Sequence, residues 1–164
     1  MIFLRNSLSG GDEHLISLVI DASTFLDYFI RVKGREERHE ITRDFFNFIS
    51  KLDVTVYEPF LFEIELKGVL TRYMDRGHVK EVVAGVLNYV NIINEDLLHS
   101  LAAALALETG CRAVDAYYIA TAVREGSILV TNDRVMKLNA RKAGVEAYYL
   151  IEEWRRIHGK LKTQ

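Results

Sequence analysis

The chain predicts an α/β fold, a three-layer α/β/α sandwich built around a parallel sheet of about five strands. Three observations predict it. Apolar runs bounded by polar residues occur at Leu15-Ile16-Ser17-Leu18-Val19-Ile20 and at Ser127-Ile128-Leu129-Val130, and such runs read as buried parallel strands. Segments with helical spacing of apolar residues alternate with the strand-like runs. The 164 residues carry no repeat and no Pro/Gly/Ser-rich linker after Gly11, which fits one domain able to bury most of its apolar surface. Right-handed crossovers then put helices on both faces.

Residues 1–14 read as a flexible lead-in, or as an edge strand from Ile2 to Leu4. Gly10-Gly11-Asp12-Glu13 breaks the apolar residues there, so no signal peptide is expected. The single domain spans 15–158. Strand one is 15–20, and a helix follows from Thr24 to Val32 with Phe25, Leu26, Phe29 and Ile30 on one face. The charged segment 31–40 is the best loop candidate. The next helix carries Ile41, Phe45, Phe48, Ile49 and Leu52 at helical spacing. Val54-Thr55-Val56-Tyr57 is strand two, by its β-branched content. Pro59 opens a helix to about Gly77, and a second helix covers His78 to Leu87. A short strand follows at 89–93. Asn94 then caps a helix with Glu95 and Asp96 in its first turn and Gly110 as its stop. A helix over Asp115–Arg124 stops at Gly126. Strand four is 127–131, a helix covers 134–143, and strand five is Ala147-Tyr148-Tyr149-Leu150. Ile151 to Ile157 forms a last helix, and 159–164 is a basic tail.

A net charge of −2 excludes an overall basic field for nucleic acid, so any such binding must come from local patches. The lone Cys111 excludes an internal disulfide and a multi-cysteine zinc site; it reads as filler between two helices and fits a reducing cytoplasm. The longest apolar stretches are too short to span a bilayer, so no membrane role is expected.

Four acids stand out. Asp21 and Asp133 each follow a buried strand, and sites in open α/β sheets form outside the carboxyl ends of strands. Asp21 also suits a helix cap or Asx turn, although Ser23 or Thr24 would cap equally well. Asp133 lies in Thr131-Asn132-Asp133, a cluster that turn formation also explains. Glu65 lies on the stripe of Leu61, Phe62, Val69 and Tyr73, either at the stripe's edge or as a ligand; Glu63 instead pairs with Lys67 at i+4. Asp115 shares a stripe with Ile119, Ala122 and Val123, and taken alone is better read as an N-cap. It is the joint pattern that points to a site.

At these residues the chain resembles the PIN-domain family, especially the VapC-type toxin ribonucleases of prokaryotic type II toxin–antitoxin pairs. The matching segments are Val19-Ile20-Asp21-Ala22-Ser23, Pro59-Phe60-Leu61-Phe62-Glu63-Ile64-Glu65-Leu66, Ala113-Val114-Asp115-Ala116-Tyr117-Tyr118-Ile119-Ala120 and Leu129-Val130-Thr131-Asn132-Asp133-Arg134. They fall in the family's order over about residues 15–150. The resemblance implies a Rossmann-like sheet ordered 3-2-1-4-5, with Asp21, Glu65, Asp115 and Asp133 lining an acidic pocket and Thr131, with Ser23 and Asn132, supporting it. It also implies a homodimer and a small antitoxin protein that covers the pocket. The lead-in before Asp21 is longer than the family's usual one.

Gathered carboxylates repel one another, and a hard divalent cation removes that repulsion. Oxygen-only ligands suit Mg²⁺ or Mn²⁺, not Zn²⁺. The expected reaction is hydrolysis of RNA phosphodiesters by metal-activated water, with Asp21, Asp115 and Asp133 as ligands and Glu65 as a ligand or water-orienting group. Arg31, Lys33, Arg35 and Arg134 are candidates to hold RNA, though solvated surface charge explains each of them as well. Tyr117 and Tyr118 would stack on bases or pack in the core or a dimer. The alternatives are a non-catalytic RNA- or protein-binding scaffold and an RNA-maturation nuclease outside a toxin pair. A phospho-acceptor domain fits poorly: Ala22 follows Asp21, and Tyr149-Leu150-Ile151 stands where a lysine would be needed.

Overall fold

The computed structural model describes residues 16–163, so the expected lead-in over 1–14 lies outside the described residues. The elements run β1 (Ile16–Ile20), α1 (Ala22–Phe29), α2 (Glu36–Ile49), β2 (Val54–Pro59), α3 (Phe62–Leu70), α4 (Arg76–Leu87), β3 (Asn91–Ile93), α5 (Glu95–Thr109), α6 (Ala113–Glu125), β4 (Ile128–Thr131), α7 (Arg134–Lys142), β5 (Ala147–Tyr149) and α8 (Leu150–Lys162). All five strands are parallel, in the order β3-β2-β1-β4-β5. This is the expected order. The chain builds outward from β1 through β2 to β3, then returns to lay β4 and β5 on the other side. That reversal makes the carboxyl ends of β1 and β4 the switch point, where a crevice opens.

The strands are short and apolar on both faces because helices cover both. Leu18, Val19, Ile20, Leu129 and Val130 are fully buried. Right-handed crossovers put α1–α4 on one face, where α8 also packs on α2, and α5–α7 on the other. An aromatic cluster joins the first layer: the ring of Phe25 lies 4.9 Å from Phe46 and 5.0 Å from Phe62. Phe45 and Ile49 are buried at the spacing the sequence predicts.

Several boundaries differ from expectation, each for a local reason. Helix α1 starts at Ala22, not Thr24, because Asp21 caps it and accepts from Ser23 N at 3.3 Å. The charged segment 31–40 is not all loop. Helix α2 begins at Glu36, with Glu36 and Glu37 in its first turn, where the helix dipole favours acids. Charge there marks a solvated helix face. The helix expected from Pro59 to Gly77 is shorter and later: Pro59 ends β2, and α3 covers only Phe62–Leu70. Asp75 starts α4 by accepting from Gly77 N and His78 N, both at 3.0 Å. Asp115 is not a cap but the third residue of α6, whose cap is Arg112. The last helix continues through the basic end to Lys162 and buries Leu161.

Strand β2 divides its partners. Its first half pairs with β1, from Ile16↔Val54 to Leu18↔Val56, and its last residues, Tyr57 to Pro59, pair with β3. The two central strands therefore part at their carboxyl ends.

Replacing Phe25 by Ala should cost about 3–5 kcal/mol of stability, read by urea denaturation; a loss under about 1 kcal/mol would mean that the aromatic cluster collapses to refill the space.

Candidate active site

The crevice is built from the strand ends. Asp21 directly follows β1, and its backbone N–H donates to Val130 O at 3.0 Å, which locks it beside β4. The residue is 4% exposed. Thr131 Oγ1, at the end of β4, donates to Asp21 Oδ2 at 2.7 Å, and the Ser23 hydroxyl donates to the same oxygen. Asp133 N donates to Thr131 Oγ1 at 2.9 Å, and Asn132 N donates to Ser23 Oγ at 3.1 Å. Two hydroxyls thus tie the first acid to the loop that carries the last. Burial pushes the Asp21 carboxyl up; the Ser23 and Thr131 hydrogen bonds oppose this, and the charge of Asp133 adds to it.

Asp133 caps α7, its Oδ1 accepting from Val135 N at 2.7 Å and Met136 N at 3.1 Å. Capping and a place in the crevice are therefore compatible, for Asp133 as for Asp21. Asp115 is only 1% exposed. Glu65, on α3, is half-buried, and Tyr118 Oη donates to its Oε2 at 2.7 Å. Burial raises the Glu65 carboxyl. Tyr118 and Arg112 oppose that rise, while Asp21 and Asp115 add to it. The four acids chosen from sequence thus face one another electrostatically across the crevice.

Two participants were not foreseen, and a third was expected only to stack on bases or to pack. Glu58, near the end of β2, is fully buried. Its Oε1 accepts from Ile20 N at 2.9 Å, taking the N–H that β1 no longer gives to β2, while its Oε2 has no partner. Burial raises the Glu58 carboxyl well above its ordinary range, and the charges of Asp21 and Glu65 add to this. Strand parity could have found it, since Val54, Val56 and Glu58 share the buried face of β2. Arg112 is the second. Its Nε donates to Asp115 Oδ2 at 3.0 Å, and its Nη2 donates to Asp115 Oδ1 at 2.9 Å and Asp133 Oδ2 at 2.8 Å. These contacts raise the guanidinium pKa, the hydrogen bonds to Asp115 most of all. Tyr118 is the third: it is fully buried beneath Glu65 and cannot stack on bases. Tyr117 is half-buried, its ring 5.1 Å from Phe60 and its hydroxyl donating to Glu95 Oε1 at 3.2 Å.

The remaining residues chosen from sequence are dispersed. The Asn132 side chain turns away from the acids and donates to Asp27 Oδ2 at 2.7 Å, an oxygen that Arg38 Nη2 also reaches at 2.7 Å. Arg31, Lys33 and Arg35 are exposed between α1 and α2. Arg134 lies over the Tyr149 ring, 5.1 Å from its centroid, and pairs with Glu152. Cys111 is half-buried between α5 and α6.

The donor set is all oxygen, which fits a hard divalent ion held partly through water. As they stand, no three His, Cys, Asp or Glu side chains among the described residues form a ready cage. The charge on Asp115 and Asp133 is met instead by a guanidinium. The fit lies in the donors and in the crevice's demand for positive charge.

Comparison with known proteins agrees with this frame. A family model described as PIN domain matches residues 18–142. No curated protein matches the chain. Among solved structures, PAE2754 from Pyrobaculum aerophilum is 18% identical, with 91% of each chain covered and a TM-score of 0.60. VapBC2 from Rickettsia felis, bound to a DNA fragment from its promoter, is 13% identical over 81% of this chain and 98% of that one, at 0.62. A toxin–antitoxin complex from Klebsiella pneumoniae is 19% identical over 71% and 86%, at 0.52. At such identities these likenesses concern the fold.

A carboxyl whose pKa is raised by folding holds a proton that the unfolded chain has released. Its contribution is complete below the ordinary carboxylate range and is lost as pH rises through the folded value. With divalent ions chelated, stability should therefore fall as pH climbs above that range. Glu58→Gln keeps an oxygen for Ile20 N and should flatten the fall, as measured by urea denaturation across pH. A slope as steep as the parent's would remove Glu58 from the account.

Proposed function

The chain belongs to the PIN-domain family, and from that membership we propose that it is a metal-dependent endoribonuclease that hydrolyses RNA phosphodiesters. One observation carries the reading: acids from four separate segments meet at the switch point of the sheet, and a cationic side chain is drawn between two of them. A bound Mg²⁺ or Mn²⁺ would lower the pKa of a water molecule and offset charge on the phosphodiester.

The protein's own groups have distinct parts in this reading. Asp21, Asp115 and Asp133 hold the ion directly or through water. Thr131 and Ser23 fix the carboxylate plane of Asp21 by donating to it. Glu65, oriented from below by Tyr118, is a further ligand or directs the attacking water. Glu58, behind them, satisfies the Ile20 N–H. Arg31, Lys33 and Arg35, exposed beside α1, are available to an RNA backbone. Arg134 is less so, being engaged with Tyr149 and Glu152.

We further propose that the protein is the toxin of a type II toxin–antitoxin pair. The structures similar in fold include VapBC2 and a toxin–antitoxin complex. An apolar cavity of about 360 Å³ between α1, α2 and α4, lined by Phe25, Tyr28, Phe46, Val82 and Val86, would suit an apolar segment of a small partner protein. Leu97 and Leu107 on α5 are exposed, as a homodimer face would require. No single helix among the described residues is long and apolar enough to cross a membrane. One observation favours the second reading, a non-catalytic RNA- or protein-binding scaffold: the acids make no ready cage.

The test is cleavage of structured and unstructured RNAs with Mg²⁺, with Mn²⁺ or with chelator. Cutting should require the ion, and Asp21→Asn should lower it by at least about a thousandfold while the variant stays folded. Cutting that persists in chelator, or in the variant at the parent's rate, refutes the mechanism. RNA binding with no cutting under any ion supports the scaffold. Cutting confined to precursor RNAs, with no partner protein recovered, supports RNA maturation.

A further inference from the structure

Arg112 occupies an unusual position. It engages both oxygens of Asp115 and, through the same Nη2, Asp133 Oδ2. The other oxygen of Asp133 is committed to the α7 cap. The oxygens that an ion would need on these two residues are therefore the ones the guanidinium holds.

The two ends of the contact differ in exposure. The Asp115 side chain is 1% exposed, whereas that of Arg112 is 69% exposed. A buried carboxylate without a partner is costly, so some positive charge must stay beside it. The Arg112 side chain lies mostly in water already, so moving it out buries no charge of its own. The backbone permits the motion. Arg112 is the cap residue of α6 with φ −67° and ψ 154°, outside the helical turns, so its side chain can swing without unwinding α6.

We propose that Arg112 stands in for the divalent ion: it clasps Asp115 and Asp133 until a cation displaces it, and from the rim it then grips a backbone phosphate of RNA. This rests on the metal-dependent nuclease reading. It accounts for the lack of a ready cage, since the carboxylates are turned to a planar fork instead of to a point. The same fork matches two phosphate oxygens once released. Two nearby cations are less free to do this, Arg38 being tied to Asp27 and Arg134 to Glu152.

The experiment is a Mn²⁺ titration of the full chain, following free ion by electron paramagnetic resonance, for the parent, Arg112→Ala, Arg112→Lys and Asp115→Asn. Arg112→Ala should bind Mn²⁺ roughly three- to tenfold more tightly, the competitor being gone. Arg112→Lys, a single point charge, should fall between. Arg112→Ala should also melt lower than the parent in chelator but match it in saturating Mn²⁺. RNA cleavage at saturating Mn²⁺ should lose mainly in KM. Mn²⁺ binding by Arg112→Ala that is unchanged or weaker, with its Tm restored by saturating ion, overturns the inference and leaves the nuclease reading standing. A parent that binds no Mn²⁺ overturns both, and tight binding by Asp115→Asn removes Asp115 from the exchange.

Discussion

The structure turns on crowded negative charge at the carboxyl edge of the sheet. Asp21, Glu58 and Asp115 are buried there, with Glu65 half-buried beside them and Asp133 at the rim. Burying carboxylates costs free energy that only protons, hydrogen bonds or cations can offset, and the protein uses all three. The carboxyls of Asp21, Glu58 and Glu65 have raised pKa values. Hydroxyls from Ser23, Thr131 and Tyr118 donate to Asp21 and Glu65. Arg112 spans Asp115 and Asp133. None of this helps the fold for its own sake, because an apolar filling of the same volume would be less expensive. In the nuclease reading proposed above, that expense serves the binding of an ion.

The frame itself was legible because it follows from apolar periodicity. The runs ending at Ile20 and Val130 fixed β1 and β4, and with them the positions of Asp21 and Asp133 at the crevice. The helical wheel separated Glu65 from Glu63, and in the structure Glu63 pairs with Lys67 while Glu65 meets Tyr118. What was not legible depended on contacts between distant segments. Glu58 was obscured by Pro59, which suggested a helix start where the strand was still running. Arg112 was passed over because its i,i+3 spacing to Asp115 reads as an ordinary helix pair, and only the contact with Asp133, twenty-one residues away, sets it apart. The charged segment 31–40 misled because charge density identifies solvent exposure, not loop. Tyr118 was ambiguous because an aromatic residue at a helix start serves a core and a binding face equally well.

The three solved structures compared above are under a fifth identical to the chain. Such divergence is tolerable because the frame demands only apolar strands, crossovers of one hand and helix caps, which many sequences satisfy. The crevice is more exacting. Asp21 and Asp133 both cap helices and both face the crevice, so the caps that start α1 and α7 also bring carboxyl groups to the crevice. A substitution at either that lacks a capping oxygen would disturb helix and crevice together.

The parting of β1 and β2 depends on a side chain. Where the ladder ends, a single carboxyl side chain, that of Glu58, takes the place of a main-chain carbonyl in receiving Ile20 N–H. The gape of the cleft is thus written in a replaceable group instead of in the peptide chain. Exchange at that one position would change how β1 and β2 part while Asp21, Glu65, Asp115 and Asp133 keep their own places on other segments.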